Sequence, residues 1–226
     1  MEMLSAKNVD YIYQSKYQKV QALKDVSCSF EAGTFYAIIG HSGSGKTTLL
    51  SVLAGLGTPV RGSVYVGETP LDEIGQERHR RENVSLIYQG FHLFPTLTVL
   101  ENVMYPMQIV KRSQKEAAAR ARELLASVGL KKEQEKKFPA MLSGGEQQRV
   151  AIARALSSSA KVILADEPTG NLDTENGKVV IGLLKQLVAE KNYCVIVVTH
   201  DLDIAAQADV VYRMTDGKLD REERAV

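Results

Sequence analysis

The chain has 226 residues, 44% of them hydrophobic and 24% charged, with 28 Lys and Arg against 27 Asp and Glu. That balance excludes a disordered or fibrous chain and leaves room for one sizeable core with a lobe grafted onto it. A net charge of +1 with dispersed cations argues against nucleic acid as the main partner, because phosphate contacts favour a basic face.

Met1–Asn8 lacks the basic stretch and apolar core of a secretory signal, and no run reaches the ~20 apolar residues that cross a bilayer. Up to about Glu31 the pattern alternates, as it does again over Gly62–Val66, which predicts a small antiparallel layer beside the core. Phe35–Ile39 reads as a buried strand, followed by a glycine-rich turn and a helix ending near Gly55. Asp72–Glu82 reads as a solvated connector, and Val84–Tyr88 as a second strand.

Between Gln89 and Ala160 the pattern is mainly helical. Ser113 and Glu116 form a capping-box signature, and the helix they open carries Ala117, Ala121, Leu124, Leu125 and Val128 on one face before Gly129 stops it. Lys131–Lys137 reads as another solvated connector. Further strands are predicted at Lys161–Ala165, Val195–Val198 and Val210–Tyr212, with a helix striped by Val179, Val180, Leu183, Leu184, Leu187 and Val188. Apolar strands alternating with helices predict an α/β domain whose mostly parallel sheet is covered on both faces. The organisation expected is a core of about 1–88 and 160–226 with an inserted helical lobe of about 89–159. Cys28 and Cys194, far apart and set in stretches rich in apolar residues, read as inert buried thiols suited to a reducing compartment.

Gly40-His41-Ser42-Gly43-Ser44-Gly45-Lys46-Thr47-Thr48 matches G-x-x-x-x-G-K-[ST] between a predicted strand and a predicted helix. Glycines there let backbone N–H groups turn inward around an anion. The helix N-terminus adds positive partial charge, Lys46 reaches the outer phosphates and the Thr47 hydroxyl can ligate Mg²⁺. Asp166 and Glu167 stand where the Lys161–Ala165 strand runs out. Alone, such a pair can be a turn or a helix cap. Beside a phosphate loop, Asp166 is suited to hold hydrated Mg²⁺ and Glu167 to accept a proton from the attacking water.

Leu142-Ser143-Gly144-Gly145-Glu146-Gln147-Gln148-Arg149 resembles the signature motif of ABC ATPases, while Ser143 and Glu146 also form a capping box. The resemblance implies a phosphate-loop NTPase (RecA-like) core that hydrolyses ATP with Mg²⁺. It further implies a head-to-tail homodimer in which Ser143, Gly144, Gly145 and Glu146 of one copy close over ATP held by Lys46 of the other. Tyr13 sits where the family stacks an aromatic ring on adenine, with Tyr11 and Tyr17 as neighbours. Gln89 resembles the glutamine that touches Mg²⁺ and senses the helical lobe. Asp173 in Gly170-Asn-Leu-Asp173 resembles the loop crossing the dimer interface, though it can equally cap the next helix. His200 resembles the switch histidine of the γ-phosphate.

The same resemblance implies an integral membrane permease as a separate partner, docked in a groove of the helical lobe on the cytoplasmic side. Phe91–Pro95 stands where that lobe begins and reads either as core or as part of the groove. The stretch Asp166–Asp173, with Phe138–Leu142, is similar to the lipoprotein-release, macrolide-export and antimicrobial-peptide group, some of whose members work with a periplasmic or extracellular adaptor. It is also similar to the cell-division ATPase of that group, which transmits force without transport. Soluble ABC proteins of translation or repair fit less well, since one cassette is present with neither extended heptads nor Cys-x-x-Cys.

Overall fold

A computed structural model describes residues 1–222. In chain order the elements are β1 (Glu2–Gln14), β2 (Lys19–Glu31), β3 (Phe35–Ile39), α1 (Lys46–Leu53), β4 (Arg61–Val66), β5 (Thr69–Pro70), α2 (Leu71–Ile74), α3 (Gln76–Glu82) and β6 (Val84–Tyr88). There follow α4 (Val99–Ile109), α5 (Gln114–Ser127), α6 (Gly144–Leu156), β7 (Val162–Asp166), α7 (Thr174–Lys191), β8 (Cys194–Thr199), α8 (Leu202–Ala206), β9 (Val210–Thr215) and β10 (Lys218–Arg221).

Two sheets organise the molecule. One has the order β10-β9-β3-β8-β7-β6, parallel throughout except for the edge strand β10. The other is the expected antiparallel layer, ordered β2-β1-β4-β5. The strand period of two distributes the core between two clusters. Phe35, Ala37 and Ile39 of β3, with Val195 and Val197 of β8, face the cluster that also holds the apolar stripes of α4, α5, α6 and α7. Tyr36 and Ile38, with Cys194, Ile196 and Val198, face the cluster shared with α1, β1 and β2. Both faces of the parallel sheet are thus covered, which is why its strands read as unbroken apolar runs. Cys28 and Cys194 lie in the second cluster, and burial pushes both thiols up to about 12.

Three helices start on capping boxes, two of them, at Ser113 and Ser143, predicted and the third, at Thr98, not foreseen. Thr98, Ser113 and Ser143 each accept from the backbone N–H three residues on, and the Glu there reaches back. Each such cap stabilises its helix by ~1 kcal/mol. One expectation fails: Asp72–Glu82 forms most of α2 and all of α3 in place of a connector. Its charged residues hide an inward edge on which His79 is fully buried, its Nε2 2.9 Å from the carbonyl of Leu53. Burial lowers the His79 pKa, so the ring closes the C-terminal end of α1 as a neutral donor. Lys131–Lys137 holds only a short 3₁₀ turn at Lys132–Gln134, with Glu135 paired to Arg122.

Candidate active site

The site begins where β3 gives way to α1. Gly45 precedes the helix with φ 114°, and a Cβ there would stand 2.7 Å from the carbonyl of Ala22, so only glycine lets the loop pass under β2. The turn between β9 and β10 braces the loop from the other side, the Gly217 N–H donating to the Ser44 carbonyl at 2.9 Å. Lys46 is buried and donates to the carbonyls of Gly40 (2.8 Å) and His41 (3.0 Å), which fixes its ammonium inside the loop. The His41 ring itself points to the rim, near Asp216.

A cavity of about 1060 Å³ opens over this loop. Ser42, Gly43, Gly45, Lys46, Thr47 and Thr48 line it, and Asp166, Glu167, Gln89, His200 and Tyr13 converge on it from four other segments. Gly40 and Ser44 support the loop from behind, and Ser44 is buried. Tyr13, half exposed at the end of β1, places its hydroxyl 3.2 Å from Thr48 Oγ1. Tyr11 meets it edge-on outside the cavity lining, and Tyr17 is 89% exposed, so Tyr13 alone of the three offers the cavity a ring.

Thr47 donates to Asp166 Oδ1 at 3.3 Å, joining the start of α1 to the end of β7. Burial raises the Asp166 pKa, with Glu167 adding to the rise and Thr47 and Lys46 opposing it. A desolvated carboxylate beside a hydroxyl, with the Gln89 amide lining the same cavity, is a hard-oxygen donor set. It suits Mg²⁺, which takes few protein ligands and completes its shell with water and phosphate. The residues fit the ion.

Glu167 adopts φ 45°, a left-handed conformation costly for a non-glycine residue. Its N–H donates to the Val198 carbonyl at 2.9 Å, and its carbonyl accepts from Gly170 at 3.0 Å. Its carboxylate is held twice from β8: His200 Nδ1 lies 2.8 Å from Oε1, and Thr199 donates to Oε2 at 3.3 Å. Gln89, exposed just beyond β6, is tied to the next loop through Asn171, which donates to its backbone carbonyl at 2.9 Å.

The remaining expected site residues stand elsewhere. Ser143 is exposed at the N-cap of α6, and its helix start packs on the loop before α7, where Gly145 lies under Asn176 and Gly144 is close to Asn171. The Ser143 N–H, donating to Glu146 at 2.8 Å, holds the Glu146 carboxyl below the usual range. Asp173 caps α7, and the Asn176 backbone N–H at 2.8 Å lowers its pKa in the same way. Neither Ser143 nor Asp173 lines the Lys46 cavity. Sequence reading missed Val20, Gln21, Ala22 and Lys24 of β2, and Asp216 and Gly217 of the β9–β10 turn, all of which line it. They are brought there by strand edges and carry no motif; only the glycine of an Asp-Gly turn hinted at one.

A phosphate loop, a strand-end acid pair and a histidine just past the adjacent strand define the class, a phosphate-loop ATPase. The ABC transporter family model matches residues 23–170. The chain is 43% identical over 220 residues to an uncharacterized ABC transporter ATP-binding protein of Methanocaldococcus jannaschii, covering 96% of this chain and 97% of that one. It is 44% identical over 218 residues to the lipoprotein-releasing system ATP-binding protein LolD of Saccharophagus degradans, covering 95% of each. Among solved structures, the dimeric bacterial ABC transporter cassette MJ0796 superposes with a TM-score of 0.89 at 39% identity over 98% of both chains. A post-hydrolysis dimer of that cassette bound to ADP and Pi matches equally well, at 38% identity. This chain belongs to the ABC transporter family and is an ATP-binding subunit with ATPase activity.

Proposed function

We propose that the chain works as a head-to-tail homodimer that closes on two ATP molecules and drives a separate integral membrane subunit. The observation supporting this reading is that two helix starts suited to anions lie apart on one chain: the Lys46 loop inside the cavity, and the exposed start at Ser143 outside it. A helix N-terminus attracts anions. Two copies in opposite orientation bring each surface to the other, and the dimeric cassette relative at 39% identity supports that arrangement.

Within each pocket Tyr13 stacks on the adenine, and Lys46 with the loop amides binds the β- and γ-phosphates. Thr47 and Asp166, with Gln89, would hold Mg²⁺, which when bound would supply neutralisation of phosphate charge. Glu167 accepts a proton from the water that attacks the γ-phosphorus; the bond to the β–γ bridging oxygen breaks, giving ADP and phosphate. His200 orients Glu167 through Nδ1, leaving Nε2 for the γ-phosphate. Asp173 meets the partner's loop at the dimer seam. Losing the γ-phosphate removes the link between the copies and reopens the pair, moving the helical lobe (about 89–159) against the core (about 1–88 and 160–226).

The membrane subunit docks on that lobe, placing the chain on the cytoplasmic face of the membrane as a peripheral subunit. Relatives named as lipoprotein-releasing subunits, 42–44% identical, favour extraction or export of an amphiphilic cargo, with lipoprotein preferred over macrolide or peptide. The test is Glu167→Gln, run with ATP and Mg²⁺ on size exclusion with light scattering. A dimer retaining two ATP is expected; a monomer that binds ATP without pairing would overturn the proposal.

A further inference from the structure

Gln148 lies within α6 and is fully buried, yet neither its Oε1 nor its Nε2 meets a hydrogen-bond partner among the described residues. Six buried side-chain atoms among those residues share that condition, and three of them belong to Gln148 and its neighbour Arg149, through Nε. The deficit is therefore concentrated on one turn of one helix. Buried amides are normally paired, and one that is not is costly to keep.

The surroundings of Gln148 follow from the two glycines one turn earlier. A helical side chain lies back over the residues three and four positions before it, so Gln148 covers Gly145 and Gly144. A Cβ at Gly144 would stand 3.5 Å from the Asn171 carbonyl oxygen and 3.5 Å from the Phe91 ring. A Cβ at Gly145 would run into Asn176 Oδ1, which Arg149 reaches only at 3.5 Å. The Gln148 amide thus sits at the seam between α6 and the 171–176 segment. Across that seam the Asn171 carbonyl accepts no hydrogen bond among the described residues. The Asn171 side chain is engaged elsewhere, donating to the Gln89 carbonyl at 2.9 Å. A donor without an acceptor faces an acceptor without a donor.

Resting on the reading that the helical lobe moves against the core when two copies close, we propose that Gln148 is a positioning residue whose Nε2 bonds the Asn171 carbonyl only in the closed pair. α6 belongs to the lobe and Asn171 to the core, so the bond crosses the moving boundary. It is unmade in the open arrangement and made in the closed one, and for that reason it favours closure alone. It also has a direction. The start of α6 at Ser143 meets ATP held by the other copy, and Asn171 holds the Gln89 backbone of its own copy. Gln148 then passes the seating of Ser143 on one nucleotide to the Gln89 that serves the other.

The test is Gln148→Met, which keeps length and volume while removing both polar atoms, placed in the Glu167→Gln chain. Its Tm without ligand should hold or rise, because the open form loses an unpaired amide and no bond. Its ATP-driven dimerisation constant, measured by analytical ultracentrifugation with ATP and Mg²⁺, should weaken about tenfold or more, since each of two copies loses a bond made on closure. ATP affinity at high dilution should be unchanged, as Gln148 lies outside the Lys46 cavity. Ile152→Val, one turn along the same buried face, is the packing control and should lower the Tm with dimerisation near normal. A lower Tm for Gln148→Met would mean that the amide is already paired in the open form. Unchanged dimerisation would mean that it is idle on closure. Either result would overturn the proposal and leave the homodimer reading intact, whereas a parent Glu167→Gln chain that never pairs would overturn both.

Discussion

His200 Nδ1 lies 2.8 Å from Glu167 Oε1, joining the end of β8 to the end of β7 at the cavity wall. The contact gives the acid one fixed orientation although its backbone is held in an uncommon conformation. His200→Ala should therefore lower kcat by ~10²–10³-fold with little change in the KM for ATP, since the loop that binds the triphosphate is untouched. Thr199 still holds Oε2, so activity should stay above that of Glu167→Gln. Steady-state kinetics on the three proteins check the order.

Asp166 gives a stability prediction opposite in sign to its activity prediction. Burial raises its pKa in the folded chain, so the stability it contributes is greatest below the unfolded-state value and is lost as pH rises through the raised one. At neutral pH the ionised form therefore destabilises the ligand-free fold. Asp166→Asn should raise the Tm of the ligand-free protein by a few degrees, roughly 2–4 °C per kcal/mol at this size. Turnover should be lost as Mg²⁺ affinity falls. Scanning calorimetry at pH 7 and pH 4 checks the sign: the gain should shrink at the lower pH.

Gly170 meets the site twice: its N–H donates to the Glu167 carbonyl, which a side chain would leave in place, and its Cα lies against Gln89. A Cβ at Gly170 would stand 2.5 Å from Gln89 Nε2, the mobile end of an exposed side chain. Gly170→Ala should fold normally yet displace that amide by about an ångström, which can cost up to ~10²-fold in turnover. ATP affinity should be nearly unchanged, as fluorescence titration would show.

Tyr13 and Tyr17 form a matched control. Tyr13 lines the cavity and Tyr17 stands in solvent. Tyr13→Ala should weaken ATP binding by ~5–100-fold, the range for removing one base–aromatic stack, while Tyr17→Ala should have no effect. Tyr13→Phe keeps the ring and should bind normally, which separates stacking from the Thr48 contact.

Much of this was legible in the residues. The strands Phe35–Ile39 and Val84–Tyr88 match to the residue, because burial on both faces leaves an apolar run with sharp ends. The loop, the acid pair and His200 carry motif spacings and meet in one cavity. Asp72–Glu82 was opaque because its charges conceal the single inward His79. The left-handed conformations of Glu167, Phe91 and His92 have no local signal, since tertiary hydrogen bonds impose them on residues that do not favour them. The β2 side of the cavity was hidden for a related reason: its walls come from strand edges whose identity matters little there.

The shared pocket is tested most directly by mixing two inactive variants, Lys46→Ala and Ser143→Arg. Ser143→Arg removes a cap worth ~1 kcal/mol against a total stability of ~5–15, so the fold survives. If each pocket takes its lysine from one copy and its serine from the other, a mixed dimer holds one wholly wild-type pocket. A 1:1 mixture should then regain about a quarter of wild-type ATPase activity, half the dimers being mixed and half their pockets intact. A mixture as inactive as either variant alone would contradict the account.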